Sequence, residues 1–204
     1  MRAEVGDADG FVEVKGRGDD WLEIAIWNPD GSQAEMSGNG TRIAARWLAE
    51  QTGAGNVTVR VGDREARARM LGGGFVEQEL AYEVGEPGVA AGVHFTPVDV
   101  GNPHAVVEGD PADVTRLGPE IENDPQFPNR TNVQVARRVD EQTIEARVWE
   151  RGVGETGSSG TSAIAVAAAF GARDVAIRFP GGELHVRLDG KRAYLTGTAQ
   201  RVAS

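Results

Sequence analysis

Two short stretches carry the residue types and spacing that could do chemistry: Met36-Ser37-Gly38-Asn39-Gly40-Thr41-Arg42 and Ser158-Ser159-Gly160-Thr161-Ser162-Ala163. Each is a Ser-Gly turn of small residues that runs directly into an Ala-rich stretch of helical character. Each also follows strand-like sequence and a polar loop with a Glu-bearing motif, NPDGSQAE before one and ERGVGET before the other. A duplicated strand–loop–helix start implies two pseudo-equivalent halves facing one site. The first turn of a helix has N–H groups without intrahelical partners, and the helix dipole puts its positive end there. Two such starts therefore predict an anion between them, most naturally a carboxylate. Gly38, Asn39 and Gly40 alone would read equally well as a turn and an N-cap. The second copy at Gly160-Thr161 turns that into a paired anion site.

Composition limits the rest. The 204 residues fit one domain or two small ones, with 40% hydrophobic and 25% charged residues, as in ordinary globular chains. A net charge of −10 argues against nucleic acid, because phosphate binding needs a Lys/Arg surface. The chain has no cysteine, so disulfides, thiolate–metal sites and cysteine nucleophiles are excluded. His94, His104 and His185 do not fall at metal-ligand spacing, and no metal is expected. The longest apolar run, Ala163–Phe170, is too short for a membrane span, and MRAEVGDADG lacks a signal-peptide pattern, so the expected compartment is the cytoplasm. Gly152-Val153-Gly154-Glu155-Thr156-Gly157 satisfies G-x-G-x-x-G, yet Glu155 would set a carboxylate where a pyrophosphate should lie. Repeated βαβ units are also missing, and a dinucleotide site is not expected.

The elements that position these residues follow from periodicity and turn chemistry. Phe11–Lys15 and Trp21–Trp27 alternate and predict a hairpin. A helix is predicted from about Thr41 to Thr52, with Ile43, Ala44, Trp47 and Leu48 on one face and Gly53 as its stop. Asn56–Val61, Ala66–Leu71, Phe75–Leu80 and His94–Val100 read as strands, and Gly85–Gly92 as a linker. A polar segment from Asp110 to Arg130 holds a short helix near Pro111–Arg116. Thr131–Ala136 and Thr143–Glu150 pair through the turn between them. A second Ala-rich helix spans about Thr161 to Phe170, and Val175–Phe179, Glu183–Leu188 and Ala193–Thr196 form a meander. The sum is an α+β fold with two convincing helices and mainly antiparallel strands. Trp21, Trp27, Trp47 and Trp149 are expected as buried anchors. His94 and His185 read as structural, and Glu35 and Glu155 as solvated or loop-capping.

The ordered motifs NPDGSQAEMSGNGTR, GNPHAVV, NRTNVQVA, WERGVGETGSSGTSA and LTGTAQRV resemble diaminopimelate epimerase, from Gly6-Asp7-Ala8-Asp9-Gly10 onward. The resemblance implies a cofactor-independent amino-acid epimerase of the lysine and cell-wall precursor pathway, often a homodimer. It implies two similar domains, each a curled sheet around a central helix, with the active-site cleft between them. Residues 1–92 would form the first, completed by a returning strand at 194–204, and residues 93–193 the second. Asn28, Asn102, Asn132 and Arg151 match substrate-binding positions, and the backbone at Gly38, Asn39, Gly160 and Thr161 would hold the α-carboxylate. Ser37 and Ser159 match the two catalytic bases, and His104 and Glu150 the groups that assist them.

The chain departs from that pattern in two respects. The family uses cysteine where Ser37 and Ser159 stand, and a thiol, with a reference pKa of about 8.5, ionises far more readily than a hydroxyl. A serine could act only if a neighbour such as His104 or Glu150 takes its proton. Alternatively, His104 and Glu150 are themselves the bases and the serines position a proton or water. The chain also begins almost at Ala-Asp-Gly, so an opening strand, a substrate-binding Asn and a helix of the family are expected to be absent. Two rival readings follow: a same-fold isomerase or dehydratase, and a non-catalytic carboxylate-binding relative.

Overall fold

The computed structural model describes residues 10–28 and 31–200. The start weighed as a signal peptide, the Gly6–Asp9 part of the opening motif, Pro29-Asp30 and the closing Arg201-Val202 lie outside the described residues. Strands β1 (Phe11–Arg17) and β2 (Trp21–Trp27) form the expected hairpin, and β3 (Gln33–Ala34) folds back onto β2. Helix α1 (Gly38–Thr52) then leads to β4 (Asn56–Val61), β5 (Arg64–Gly72) and β6 (Phe75–Ala81). Short strands β7 (Glu83–Val84) and β8 (Gly88–Ala90) precede β9 (Val93–Asp99) and β10 (Pro103–Glu108), followed by a 3-10 turn at Pro111–Asp113 and helix α2 (Val114–Glu122). The chain closes with β11 (Asn132–Arg138), β12 (Thr143–Glu150), β13 (Gly154–Thr156), α3 (Gly160–Ala169), β14 (Asp174–Phe179), β15 (Gly182–Asp189) and β16 (Arg192–Thr198).

An internal duplication organises these elements. In the first half β1 pairs antiparallel with β2, β3 folds onto β2, and α1 crosses over to β4, which lies parallel to β2. In the second half β11 pairs antiparallel with β12, β13 folds onto β12, and α3 crosses over to β14, parallel to β12. Each half ends in a three-strand meander, and the two meanders join edge to edge through the antiparallel β6–β16 pair, Leu80 opposite Ala193 and Gln78 opposite Leu195. The resulting order is β1-β2-β4-β5-β6-β16-β15-β14-β12-β11-β10-β9-β7. This is the expected α+β architecture of two similar curled halves, each around its own helix.

The helices form where side-chain pattern and end chemistry agree. α1 buries Thr41, Ala44, Ala45 and Leu48, positions that repeat at helical spacing, and stops at Gly53, whose φ of 79° suits glycine. The predicted face is corrected in part: Ile43 and Trp47 are 55% and 41% exposed, and Arg17 stacks over the Trp47 ring. α3 is apolar all round and is buried from Gly160 to Ala167. Three features depart from expectation. The linker Gly85–Gly92 contains β8, paired with β9. Strand β10 was not anticipated and runs parallel to β11. The short helix near Pro111 is a nine-residue α2, which continues past Arg116 through Pro119.

Those additions cover the second half on a second side. Ala105, Val107, Val133 and Val135 pack with Val114, Leu117 and Ile121 of α2, while Val106 and Ala136 face the main core with α3. Strands covered on both faces read as continuous apolar runs rather than alternation. Among the described residues no helix is long and apolar enough to cross a membrane.

α1 and α3 meet end to end without side chains between them. A Cβ built on Gly38 would lie 2.8 Å from Gly160 Cα and 2.9 Å from Thr161 N. Alanine would gain at most about 1 kcal/mol of helix propensity there. Overpacking against backbone that cannot retreat costs about 1–3 kcal/mol or more. Gly38→Ala is therefore expected to lower the urea midpoint clearly, whereas Gly55→Ala, which meets open space, leaves it near wild type.

Candidate active site

Each helix start is capped by the serine that sequence reasoning singled out. Ser37 has extended backbone (φ −144°, ψ 119°), and its Oγ accepts from Gly40 N at 3.0 Å. Ser159 repeats this (φ −142°, ψ 129°), accepting from Ser162 N at a longer 3.5 Å. Neither helix has an acidic residue in its first turn, so nothing there offsets the positive helix end. Asn39 links the halves: its Nδ2 donates to Ser158 O at 3.2 Å while its Oδ1 accepts from Arg42 Nη2 at 2.9 Å. Buried Gln78 braces α1 from below, donating to Gly38 O at 2.8 Å and accepting from Arg42 N at 2.9 Å.

A cavity of about 610 Å³ opens at this junction. Ser37, Ser159, Asn28, Asn39, Asn102, Asn132, Glu150 and Arg151 all line it. Gly38, Gly160 and Thr161 stand at the two helix starts behind Ser37 and Ser159. Phe11, Trp27, Ile43 and Val153 form an apolar wall that sequence reasoning missed, because Trp27 had been assigned to the core and Ile43 to the buried helix face. Trp149 is only partly buried and Trp47 is exposed, so the four tryptophans are not uniformly core anchors.

His104 does not line the cavity; it lies behind Asn102 and is 2% exposed. Gln134 Nε2 donates to His104 Nδ1 at 3.0 Å and to Ser162 Oγ at 3.0 Å. With Nδ1 accepting, the ring proton sits on Nε2 and is donated to Asn102 Oδ1 at 2.9 Å. Asn102 Nδ2 then points toward Thr161 Oγ1, 3.4 Å away. Burial pushes the His104 pKa down to about 3, opposed by the Gln134 hydrogen bond and helped by the charge of Arg151. The imidazole is thus neutral at ordinary pH. Gln134 was not anticipated; its signal was a polar residue inside an otherwise apolar strand.

Arg151 reaches into the cleft from the turn after β12. Its Nη2 donates to Glu35 Oε2 at 2.9 Å, and its backbone N donates to Asn132 Oδ1 at 3.0 Å. Asn132 is itself fixed by donating to Pro103 O at 2.8 Å. Glu35, expected as solvated or loop-capping, is exposed and also ties the loop before α1 to the second half. Glu150 accepts a hydrogen bond from Thr156 Oγ1. Glu155 pairs with Arg147, and Gly154–Thr156 is strand β13 rather than a phosphate turn. His94 and His185 are exposed, the latter 2.7 Å from Asp174. Asn28 donates from Nδ2 to Ser32 Oγ at 3.0 Å on the rim.

A family model described as diaminopimelate epimerase matches residues 96–202. A diaminopimelate epimerase of Desulfovibrio desulfuricans is 33% identical over 239 aligned residues, taking in 97% of this chain and 83% of that protein. The chain belongs to the diaminopimelate epimerase family. Its class of activity is therefore that of an isomerase, an amino-acid epimerase. A hydroxyproline epimerase of Agrobacterium vitis, solved with trans-4-hydroxy-L-proline, has a TM-score of 0.69 at 16% identity, covering 93% of this chain and 71% of its own. A phenazine biosynthesis protein of the PhzF family from Enterococcus faecalis has a TM-score of 0.63 at 11% identity, covering 94% of this chain and 80% of its own. At such identities the likeness speaks for the shared fold.

The buried neutral His104 sets a pH signature. Its pKa falls from 6.5 to about 3 on folding, so below about pH 6.5 the unfolded chain takes up a proton that the folded chain refuses. Stability from this group is complete above about pH 6.5 and is lost as pH falls toward about 3, at up to about 1.4 kcal/mol per pH unit. Urea titrations at pH ~7.5 and ~4.5 should show a steeper loss for wild type than for His104→Gln, although the variant is less stable at the higher pH.

Proposed function

We propose that this chain interconverts LL- and meso-diaminopimelate, inverting one α-carbon without a cofactor. The observation that carries the reading is the pair of serine-capped helix starts opening into one cavity beside Glu150 and Arg151. The α-carboxylate lies against the first-turn amides of Gly38, Asn39, Gly160 and Thr161. Asn28, Asn102, Asn132 and Arg151 hold the remaining polar groups of the substrate. Ser37 and Ser159 address the α-carbon from opposite faces. One hydroxyl, relieved of its proton by Glu150, takes the α-proton; the other gives its own proton to the opposite face. Carbanion charge spreads into the α-carboxylate, where the two helix ends stabilise it. His104 serves the site through Asn102, whose amide it orients.

The same reading divides the chain into residues 1–92 with the returning strand at 194–204, and residues 93–193; the pairing of β16 with β6 supports the return of that strand to the first unit, with β15 along its other edge. It also takes the enzyme to be a cytoplasmic homodimer of the lysine and cell-wall precursor pathway, on the strength of family membership. A second reading has one specific observation behind it. Both serine oxygens already accept helix N–H groups, so Ser37 and Ser159 act as caps, and Glu150 with a water moves the proton.

Proton NMR of LL- and meso-diaminopimelate in D2O separates these readings. Wild type is expected to deplete the α-proton signal faster than a protein-free control. Ser→Gly at an N-cap costs only a few tenths of a kcal/mol, whereas Ser→Ala costs about 0.5–2 kcal/mol. Ser37→Gly and Ser159→Gly are therefore expected to abolish exchange with little change in melting temperature; persistent exchange in both would favour the capping reading. The double change Ser37→Cys with Ser159→Cys is expected to raise exchange at least about tenfold, because a thiol pKa of about 8.5 is within reach of ordinary pH. Absence of both exchange and ligand-induced shifts, in wild type and in the cysteine variant, would sink the proposed reaction.

A further inference from the structure

Helix α2 stands outside the cleft, yet one of its side chains is hydrogen-bonded to the turn that enters it. Glu122, the last residue of α2, is 5% exposed. Its Oε2 accepts from the Trp149 indole Nε1 at 2.7 Å. Its Oε1 accepts from Gly152 N at 2.8 Å and from Arg130 Nη1 at 3.2 Å. Trp149 and Gly152 flank Glu150 and Arg151 in the chain, and both of the enclosed residues line the cavity. One carboxylate thus fastens the two ends of a four-residue segment whose middle faces the substrate space. Gly152 holds a positive φ of 77°, and Val153 N donates to Glu150 O at 3.0 Å, so the segment is a tight turn. α2 is seated directly on the indole: a Cβ on Gly118 would lie 2.5 Å from Trp149 Cγ.

We infer that Glu122 is a positioning residue for Glu150 and Arg151, an inference that rests on the cleft being the active site. A buried carboxylate is tolerated only where donors compensate its desolvation, and here the Trp149 indole, the Gly152 amide and the Arg130 guanidinium all donate. Two of the three donors, Trp149 and Gly152, belong to the turn that carries Glu150 and Arg151, so the compensation fixes that turn. Asn132 completes the hold by accepting Arg151 N at 3.0 Å. Glutamine at position 122 would keep the shape but turn an NH2 group toward either the indole N–H or the Gly152 N–H. Donor would then face donor, and one end of the turn would come loose.

The test uses 15N-labelled full-length protein with Glu122→Gln, and Arg130→Gln as a control that removes only the outer partner, 48% exposed. Expected in Glu122→Gln are an at least tenfold rise in Gly152 amide exchange, a displaced Trp149 indole resonance and a displaced Arg151 side-chain resonance. With meso-diaminopimelate, KM is expected to rise about tenfold, with a smaller fall in kcat; tenfold is the effect of losing one charge-assisted hydrogen bond. Arg130→Gln should move none of these. If Glu122→Gln does not fold, Trp149→Phe, which keeps an aromatic ring under α2 but removes the indole donor, should displace the Arg151 resonance in the same direction. A merely structural Glu122 would lower the melting temperature while leaving Gly152 exchange, the Arg151 resonance and KM unchanged, and that result would overturn the inference. If wild type neither turns over nor binds diaminopimelate, the proposed reaction fails, while Gly152 exchange and the Arg151 resonance still decide whether Glu122 holds the turn.

Discussion

Contact between the backbones of Gly38 and Gly160 is the constraint on which the rest of the structure depends. Two helices can meet N-terminus to N-terminus only where neither carries a side chain at the contact. Once they meet, the halves that own them are fixed against each other, and the cavity must form where the two starts converge. The arrangement is electrostatically unfavourable by itself, because two positive helix ends stand side by side with no acidic residue in either first turn. Arg42 adds to this. It is 6% exposed, burial lowers its pKa to about 10, and its partners are the neutral Asn39 Oδ1 and Thr198 O. Under the proposed reading, an anion held at the two helix starts would offset their positive ends.

The duplicated halves do not contribute equally. The first supplies Ser37, Asn28 and Asn39 from loops and from a helix start. The second supplies Asn102, Asn132, Glu150 and Arg151, and supports them with β9, β10 and α2, which have no counterpart among the described residues of the first. That support explains the polar chain running inward from the cavity: Asn102, His104, Gln134 and Ser162 are hydrogen-bonded in a row through His104 Nε2, His104 Nδ1 and Gln134 Nε2. A neutral His104 suits this row because it donates at one ring nitrogen and accepts at the other, which an imidazolium cannot do. The same packing that excludes water from His104 therefore also fixes which amide hydrogen Asn102 turns toward α3.

How much of this was legible in the sequence follows from the range of each signal. The Ser-Gly helix starts, the hairpin at Phe11–Trp27 and the Gly53 stop rest on local chemistry, and each appears where expected. Strand β10 did not show itself because a strand buried on both faces lacks alternation, and α2 showed only as a short helix near Pro111–Arg116 because Gly118 and Pro119 read as loop residues. Its helical pattern, Val114, Leu117 and Ile121, is meaningful only against the outer face of β11. Ile43 and Trp47 fit a helical stripe, but α1 turns Thr41, Ala44, Ala45 and Leu48 inward instead. The pairing of Glu35 with Arg151 joins residues far apart in the chain. No local pattern encodes it. The Ser-Gly helix starts were legible from residue types, and the cavity-lining Asn28, Asn102, Asn132, Glu150 and Arg151 from the family resemblance; the supports that hold them were not, since they come from tertiary contacts.

Serine at both helix starts satisfies two demands that do not compete for the same part of the hydroxyl. Capping uses one lone pair of Oγ, and the hydroxyl proton and second lone pair stay available. Giving a proton to a carbanion uses what a capped serine already has. Taking one requires an oxygen that has first lost its own proton, which capping alone does not supply. The two faces of the proposed reaction are thus unequal in difficulty in a way two thiols would not be. The longer cap bond of Ser159, 3.5 Å against 3.0 Å at Ser37, leaves its oxygen less committed to its helix. In the proposed reaction, removal of the α-proton is then the step that would demand Glu150, and the turn carrying Glu150 is held from both ends by Glu122 and at Arg151 by Asn132.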